Sequence, residues 1–263
     1  LSTAPLAQVA CGSSFTAVLT QDGRVFTFGK RVCLGIGAGS DGNNGDGDSC
    51  PEPQLVSGLQ HDAVHMVACG SNHTLALTRR GQVYSWGLSS HGQLGCGEGQ
   101  SGGRSRGQGG SQPRRVNFDP ERTGAGTWRS GLKASSRGGA GGGSASAASS
   151  GTISLVRVCH VACGYNHSLA VSGCSPEDGA QNNATHHPNA HKMTDSQVWS
   201  WGLGSDGQCG LSFSTADVFE PTPLAALNNH GLMKVAAGAA HSVALSVSEG
   251  NVWTWGRGRC GAL

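Results

Sequence analysis

The chain has 263 residues, of which 44 are glycine and 5% are aromatic, and its formal net charge is +2. A chain of this length can bury a sizeable core, but so many glycines indicate that part of it does not pack. No apolar run is long enough to span a membrane, and no stretch carries apolar residues at the 3.6-residue spacing of an amphipathic helix. Composition therefore argues against a membrane protein and against a helical one.

Three short segments recur four times in the same order along the chain. A Val-Ala-Cys-Gly opening is followed by a short apolar strand and then by a Val-aromatic-Ser/Thr-aromatic-Gly strand. Such repetition predicts an array of small β-units. The opening begins at Val9, Val67, Val161 and Val235, with Ala237 replacing the cysteine in the fourth copy. We place the units at about residues 9–66, 67–160, 161–234 and 235–263.

Two insertions interrupt the array. Most units join their apolar and aromatic strands by a short glycine turn, such as Asp22-Gly23, which is typical of an antiparallel hairpin. The third unit has a polar loop there instead, at residues 173–196. A second, Gly/Ser/Arg-rich insertion covers residues 97–152 and surrounds a predicted return strand at Gln112-Pro113-Arg114-Arg115-Val116.

The motifs resemble those of the regulator of chromosome condensation family of β-propellers. They include the Ala-Cys-Gly-x-x-His-Ser/Thr opening, the Trp-Gly step, the tail Gly92-Gln93-Leu94-Gly95 and its near copy Gly207-Gln208-Cys209-Gly210. A proline-containing return strand follows, as at Pro221-Thr222-Pro223. The resemblance implies an all-β propeller, seven-bladed in the family, of which this chain would hold about three full repeats and part of a fourth. Because the last residues fall inside a tail motif, we expect a piece of a longer protein.

We interpret the recurring residues as a structural signature rather than as a catalytic site. The tryptophans are expected to fill the space between neighbouring blades, and the histidines to satisfy backbone groups in the turn after Cys-Gly. The signature residues are Cys11, Gly12, Gly29, Cys69, Gly70, His73, Trp86, Gly87, Cys163, Gly164, His167, Trp201, Gly202, Gly238, His241, Trp255 and Gly256.

The cysteine usage favours reduced thiols in an intracellular compartment, either cytoplasm or nucleus. The repeat position of Cys11, Cys69 and Cys163 also accepts Ala237, which predicts a small buried apolar residue there. A disulfide partner or a metal ligand would not be replaced by alanine, and the chain has no CxxC pair.

Several motifs that carry chemistry in other proteins have the wrong context here. Gly-x-Gly-x-x-Gly occurs at Gly37, Gly202 and Gly256 without a following helix to hold a phosphate, and Gly-x-Ser-x-Gly occurs only in the low-complexity stretch from Gly99 to Gly107. The histidines His186, His187 and His191 lie in a polar loop, and Asp41, Asp46 and Asp48 lack calcium-loop spacing. We therefore predict no catalytic residue, no cofactor and no metal site.

The second insertion is the most basic part of the chain. Between Arg104 and Arg137 it has eight Arg and Lys residues against Asp119 and Glu121, which leaves 8 − 2 = +6. Arginine interleaved with glycine and serine is typical of flexible segments that touch phosphate backbones. A solvated linker is the favoured interpretation, and weak nucleic-acid contact is the alternative.

Three functions are compatible with this resemblance. The first is a regulatory module that binds other proteins, which we favour because no catalytic constellation is present. The second is a guanine nucleotide exchange factor for a Ran-type small GTPase, which is the activity of the founding member of the family that this chain resembles. The third is a targeting domain inside a larger ubiquitin ligase or kinase.

Overall fold

The computed structural model describes residues 4–37, 49–97, 110–119, 156–173, 196–211, 215–228, 230–246 and 250–263. In these ranges the regular structure consists of β-strands and four short 3₁₀ turns, and no α-helix is present. The 3₁₀ turns are Arg31–Cys33, Ser57–Leu59, Ala225–Leu227 and Arg259–Gly261. The prediction of an all-β chain is confirmed.

The strands form four antiparallel sheets, in which neighbours along the chain are neighbours in the sheet. We call the sheets blades 1 to 4. Blade 1 contains β1 (Leu6–Cys11), β2 (Phe15–Thr20), β3 (Val25–Lys30) and β4 (Ser49–Leu55). Blade 2 contains β5 (Val64–Cys69), β6 (His73–Thr78), β7 (Val83–Gly87) and β8 (Gly110–Arg115). Blade 3 contains β9 (Val158–Cys163), β10 (His167–Ser172), β11 (Gln197–Gly202) and β12 (Val218–Pro223), and blade 4 contains β13 (Leu232–Ala237), β14 (His241–Ser246) and β15 (Val252–Gly256).

The first strands of consecutive blades lie against one another, β1 on β5, β5 on β9 and β9 on β13. They form the inner edge of the array, and the proline-containing strands β4, β8 and β12 lie at the outer edge. The array has two faces. We call the one that carries the β2–β3 and β6–β7 turns the hairpin face. The other, which carries the segments after Trp-Gly, is the tail face.

The apolar core lies between blades rather than within one of them. Trp86 of blade 2 packs with Leu19 and Val25 of blade 1, and Trp201 of blade 3 packs with Leu75 and Leu77 of blade 2. We call each such interface a seam. Because both faces of an inner blade are covered, the aromatic strand β11 is buried almost throughout. At the ends of the array, Val9 in blade 1 is 56% exposed and Val252 in blade 4 is 59% exposed.

The inner strand of each blade begins three residues before the Val of the opening motif. The inner strands begin at Leu6, Val64, Val158 and Leu232 rather than at the Val of the opening motif. The three residues before that Val differ in every blade, so comparison of the repeats could not find them. In all four blades the first two paired positions are also separated by a register shift.

The glycine after the repeat cysteine makes room for the next aromatic ring. A Cβ atom on Gly164 would overlap the ring of His167, and Gly70 stands in the same relation to His73. We predict that Gly164→Ala lowers the free energy of unfolding by roughly 1–3 kcal/mol, since a packed ring must move. Urea denaturation measures the effect. Gly110→Ala is the matched control, because its Cβ would meet no atom closer than 3.4 Å. An equal loss in both variants would contradict the close-approach explanation.

Candidate functional site

Two of the signature residues, His73 and Trp201, belong to a hydrogen-bonded cluster at the seam between blades 2 and 3. His73 Nε2 lies 3.0 Å from the hydroxyl oxygen of Ser168, and that hydroxyl donates to the carbonyl oxygen of Gln93 at 2.9 Å. The indole Nε1 of Trp201 donates to the same carbonyl oxygen at 2.9 Å. One blade thus supplies His73 and Gln93, and the next supplies Ser168 and Trp201. We call this arrangement the clasp.

The seam between blades 3 and 4 repeats the clasp. His167 Nε2 lies 2.9 Å from the hydroxyl oxygen of Ser242, which donates to the carbonyl oxygen of Gln208 at 2.8 Å. Trp255 Nε1 donates to that carbonyl at 2.9 Å. The recurrence follows from the sequence, because the same residue types stand at the same repeat positions.

The protons of the clasp can be assigned from its geometry. Each serine hydroxyl has one hydrogen and gives it to a glutamine carbonyl, so the histidine must donate through Nε2–H. His73 and His167 are fully buried. Burial lowers the pKa of His73 to about 3 and the pKa of His167 to about 4. Both rings are therefore neutral structural donors at neutral pH, and neither is exposed to a substrate. The sequence predicts that these rings bond to backbone groups of the turn, but in the structure the Nε2 of each ring bonds to a serine hydroxyl of the next blade.

The seam between blades 1 and 2 lacks the clasp. Phe15 stands at the histidine position, and the buried Nε1 of Trp86 has no hydrogen-bond partner among the described residues. Polar contact occurs at the inner edge instead. The side-chain amide of Gln8 donates to the carbonyl oxygen of Val67 at 2.8 Å and accepts from the backbone N–H of Val67 at 3.0 Å.

The signature glycines hold the backbone close to neighbouring groups. Those after the opening motif lie against the ring of Phe15, His73, His167 or His241, and those after the aromatic strand have φ between 106° and 114°. The first group is Gly12, Gly70, Gly164 and Gly238, and the second is Gly29, Gly87, Gly202 and Gly256. The tail glycine Gly95 packs against the indole of Trp201, so the tail of one blade fits beneath the tryptophan of the next.

The repeat cysteines are free thiols. Cys69 and Cys163 are half-buried, and burial raises the pKa of Cys69 to about 12 and the pKa of Cys163 well above its usual value. Neither is a reactive thiolate at neutral pH. Cys11, at the end of the array, is exposed rather than buried. Cys159 differs from these three, because it is disulfide-bonded.

Polar side-chain contacts cross two seams on the tail face, and sequence reasoning missed them. His91 Nδ1 lies 2.9 Å from a carboxylate oxygen of Asp217, between blades 2 and 3. Arg257 donates to both carboxylate oxygens of Asp206, at 2.8 and 2.7 Å, between blades 3 and 4. His91 and Asp206 share one repeat position, immediately before Gly-Gln. Their partners stand at different repeat positions, Asp217 directly before β12 and Arg257 directly after β15, so comparison of the repeats gives no signal for the pairs.

The described residues contain no group of three or more His, Cys, Asp or Glu that could hold a metal ion. A cavity of about 250 Å³ lies on the hairpin face between blades 1 and 2. Its two carboxylates have partners, because Asp22 pairs with Arg24 at 2.5 Å and Asp62 accepts from the Tyr84 hydroxyl at 2.6 Å. This cavity therefore presents no poised acid–base pair. The expectation of no cofactor and no catalytic residue stays a prediction.

Some sequence predictions concern residues outside the described ranges. These are the histidines at 186, 187 and 191, the aspartates at 41, 46 and 48, the Gly-x-Ser-x-Gly matches at 99–107, and most of the basic insertion. Of the arginines between 104 and 137, Arg114 and Arg115 are described, and both are exposed on β8. The glycines from Gly256 onward lead into a 3₁₀ turn, not into an α-helix. No helix in the described part of the chain is long and apolar enough to cross a bilayer.

Blades that pack face to face, with a repeated clasp at their seams, define a β-propeller repeat module. The family model for the regulator of chromosome condensation (RCC1) repeat matches residues 22–77, 80–127 and 195–245, and a second model of the same repeat matches 6–30, 64–93 and 234–262. The chain therefore belongs to the RCC1 repeat family.

Relatives and solved structures agree with this assignment. The chain is 29% identical to the probable E3 ubiquitin-protein ligase HERC6 of Homo sapiens over 262 residues, which is 99% of this chain and 19% of that protein. It is 33% identical to the E3 ubiquitin-protein ligase HERC2 of Homo sapiens over 253 residues, 95% of this chain and 4% of that protein. Yeast RCC1 (Prp20), solved bound to Kap60, aligns with a TM-score of 0.62 and 22% identity, covering 98% of this chain and 45% of that one. The chain thus spans less than half the length of each of these proteins.

Removing one clasp histidine should weaken the seam it bridges. We expect His167→Phe, which copies the residue at Phe15, to lower the free energy of unfolding by about 1 kcal/mol, since the Ser242 hydroxyl loses one partner. A double-mutant cycle with Ser242→Ala should give a coupling energy of about 0.5–1.5 kcal/mol. His241→Phe is the matched control, because the structure shows no next-blade serine for it. Strict additivity in the cycle would contradict the clasp.

The buried histidines should make the fold acid-sensitive. The unfolded chain protonates them near their ordinary pKa of 6.5, whereas the folded pKa values are about 3 for His73 and about 4 for His167. Between these values the unfolded chain binds more protons. The contribution of these histidines to the free energy of unfolding should therefore be at its maximum above pH 6.5. Below pH 6.5, down to the folded pKa, it should fall by about 1.4 kcal/mol per pH unit for each histidine. Urea denaturation from pH 7 to pH 4 measures the slope, which should be flatter in a His73→Phe/His167→Phe double variant. An unchanged slope would assign the acid sensitivity to other groups.

Proposed function

We propose that the chain is a non-catalytic propeller module that binds another protein. The observation that carries the proposal is the clasp, because the polar residues that form it at two seams serve to join blades. His73, Ser168, Gln93 and Trp201 are all buried, so they offer no surface to a substrate. The turns and tails on the two faces remain exposed, and their residues differ from blade to blade. Loops on a rigid scaffold are where binding residues concentrate.

The wider setting that we favour is a targeting propeller within a larger ubiquitin ligase. This is supported by the alignment to HERC6, which uses 99% of this chain but 19% of that protein. In such a protein the propeller would select the substrate or partner, and the chemistry would lie in another domain. The likeness to yeast RCC1, at 22% identity, supports the fold and leaves exchange activity on a small GTPase as an outcome to be tested.

We place the module inside the cell, in the cytoplasm or the nucleus. The free thiols of Cys50, Cys69, Cys163 and Cys209 support a reducing compartment, whereas the disulfide at Cys159 is evidence against one. Nucleic-acid contact by the insertion between Arg104 and Arg137 stays a prediction.

The binding function can be tested by comparing the two faces. We expect affinity capture with the 263-residue chain to recover a partner protein whose binding is lost on changing one face and kept on changing the other. Asp206→Asn/Arg257→Gln alters the tail face, and Arg79→Gln/Arg80→Gln alters the hairpin face. Both variants change exposed or half-buried side chains, so the fold should be preserved. Equal loss in both variants, or no reproducible partner, would count against a specific docking face.

A parallel assay separates binding from exchange. We expect no acceleration of fluorescent GDP release from a Ran-type GTPase by the same chain. Acceleration at catalytic concentrations would replace the binding-module proposal with an exchange factor. Turnover of a small molecule that depends on described residues would overturn the non-catalytic assignment.

A further inference from the structure

Basic side chains from three blades gather on the hairpin face at the inner edge. His65 lies on β5 of blade 2, His160 on β9 of blade 3 and Lys234 on β13 of blade 4. Arg79 belongs to the turn between β6 and β7, and Arg157 directly precedes β9. All but His160, which is half-buried, are exposed. We call these five residues the basic rim.

Hydrogen bonds fix the backbone beneath the basic rim. The Arg79 N–H donates to the carbonyl oxygen of Ala63 at 2.9 Å, and the guanidinium of Arg157 donates to the carbonyl oxygen of Arg79 at 3.1 Å. The N–H of Val158 donates to the carbonyl oxygen of Gly81 at 3.0 Å. On the other side, the N–H of Val235 donates to His160 Nδ1 at 3.5 Å, so the neutral His160 ring carries its hydrogen on Nε2. These bonds hold the cationic groups of blades 2, 3 and 4 near one another.

The pKa values of His65 and His160 also reflect how close the groups of the basic rim lie to one another. Burial, and then the charges of Arg79 and Arg157, lower the pKa of His65, while burial, Lys234 and His65 lower the pKa of His160 to about 4. The two histidines are therefore held neutral, and the positive charge of the rim comes from Arg79, Arg157 and Lys234, which a nearby anion would stabilise.

No described carboxylate neutralises the basic rim. Among the described residues, the two acids on this face near blades 1 and 2 are engaged elsewhere, Asp22 with Arg24 and Asp62 with Tyr84. The first blade does not extend the patch, since Ala7 and Gln8 occupy the positions of His65 and the following residue. The positive charge is therefore concentrated over three adjacent inner strands.

We infer that the basic rim is a docking site for an acidic polypeptide segment, a short run of Asp and Glu in a partner protein. This inference rests on the proposed binding function, and it identifies the basic rim as the surface that contacts the partner. Arginine forks pair bidentately with carboxylates, and the rim brings its cations together from three blades around one edge. A nucleic-acid backbone is tracked instead by cations spread along a groove, so a peptide is the occupant that this arrangement favours.

The test uses a fluorescein-labelled oligoglutamate peptide and fluorescence anisotropy with the 263-residue chain at low salt. We expect saturable binding that weakens with added salt. The variant Arg79→Gln/Arg157→Gln/Lys234→Gln should bind roughly tenfold more weakly. The control variant Arg114→Gln/Arg115→Gln/Arg259→Gln removes the same formal charge from exposed positions outside the rim and should bind like the unmodified chain. Circular dichroism and urea denaturation verify that both variants are folded.

Three results would overturn the inference. These are absence of oligoglutamate binding, equal weakening in the rim and control variants, and tighter binding of a single-stranded oligonucleotide that depends on the same three residues. If oligoglutamate fails while affinity capture still yields a face-specific partner, the basic rim inference is wrong and the proposed function stands. If both fail, the binding function itself is in doubt.

Discussion

The backbone carbonyl of a glutamine in the tails of blades 2 and 3 is the acceptor on which the two clasped seams depend. A carbonyl oxygen has two lone pairs, and in the clasp both are used by the next blade, one by a serine hydroxyl and one by an indole N–H. The carbonyl of Gln93 is buried, so leaving either donor without it would cost the desolvation of a polar group. Any residue could supply that backbone carbonyl, and the glutamine side chain has a separate role. Its Oε1 accepts from the backbone N–H two residues earlier, that of His91 for Gln93 at 2.9 Å and that of Asp206 for Gln208 at 2.8 Å. The tail must return to the seam with its carbonyl facing the next blade, and Gly95 must lie beneath Trp201 for it to do so.

The same arrangement separates what the fold needs from what a partner can use. The clasp residues are neutral, buried and repeated, whereas the charged residues of the two faces differ from blade to blade. Arg257 and Asp206 bridge one seam of the tail face, and His91 and Asp217 bridge another with a different pair of side chains. A repeat protein built in this way can change its surface without changing its packing, because each blade contacts only its neighbours.

Much of the fold could be predicted from the sequence, and the reason is repetition. The recurring Cys-Gly, His and Trp-Gly positions reveal units whose strands must alternate and whose aromatics must face a neighbouring blade. The inner strand starts could not be found in this way, because Leu6-Ala7-Gln8 and Leu232-Met233-Lys234 share little beyond an apolar first residue. The partner of the histidine was also missed, since Ser168 is 95 residues from His73 and only the stacking of blades brings them together. The basic rim could not be predicted either. Its members are single residues at positions that vary between repeats, and only the packing of the blades brings them close together.

The replacement of histidine by Phe15 in blade 1 makes the first seam different from the later ones in its chemistry toward acid. The later seams each contain a ring that must remain neutral, whereas the first is joined through Phe15 and the amide of Gln8, neither of which takes up a proton in acid. Acid should therefore weaken the seam between blades 2 and 3 and the seam between blades 3 and 4 directly, through the two buried rings. Amide hydrogen exchange at falling pH would report, blade by blade, whether protection is lost at those seams first.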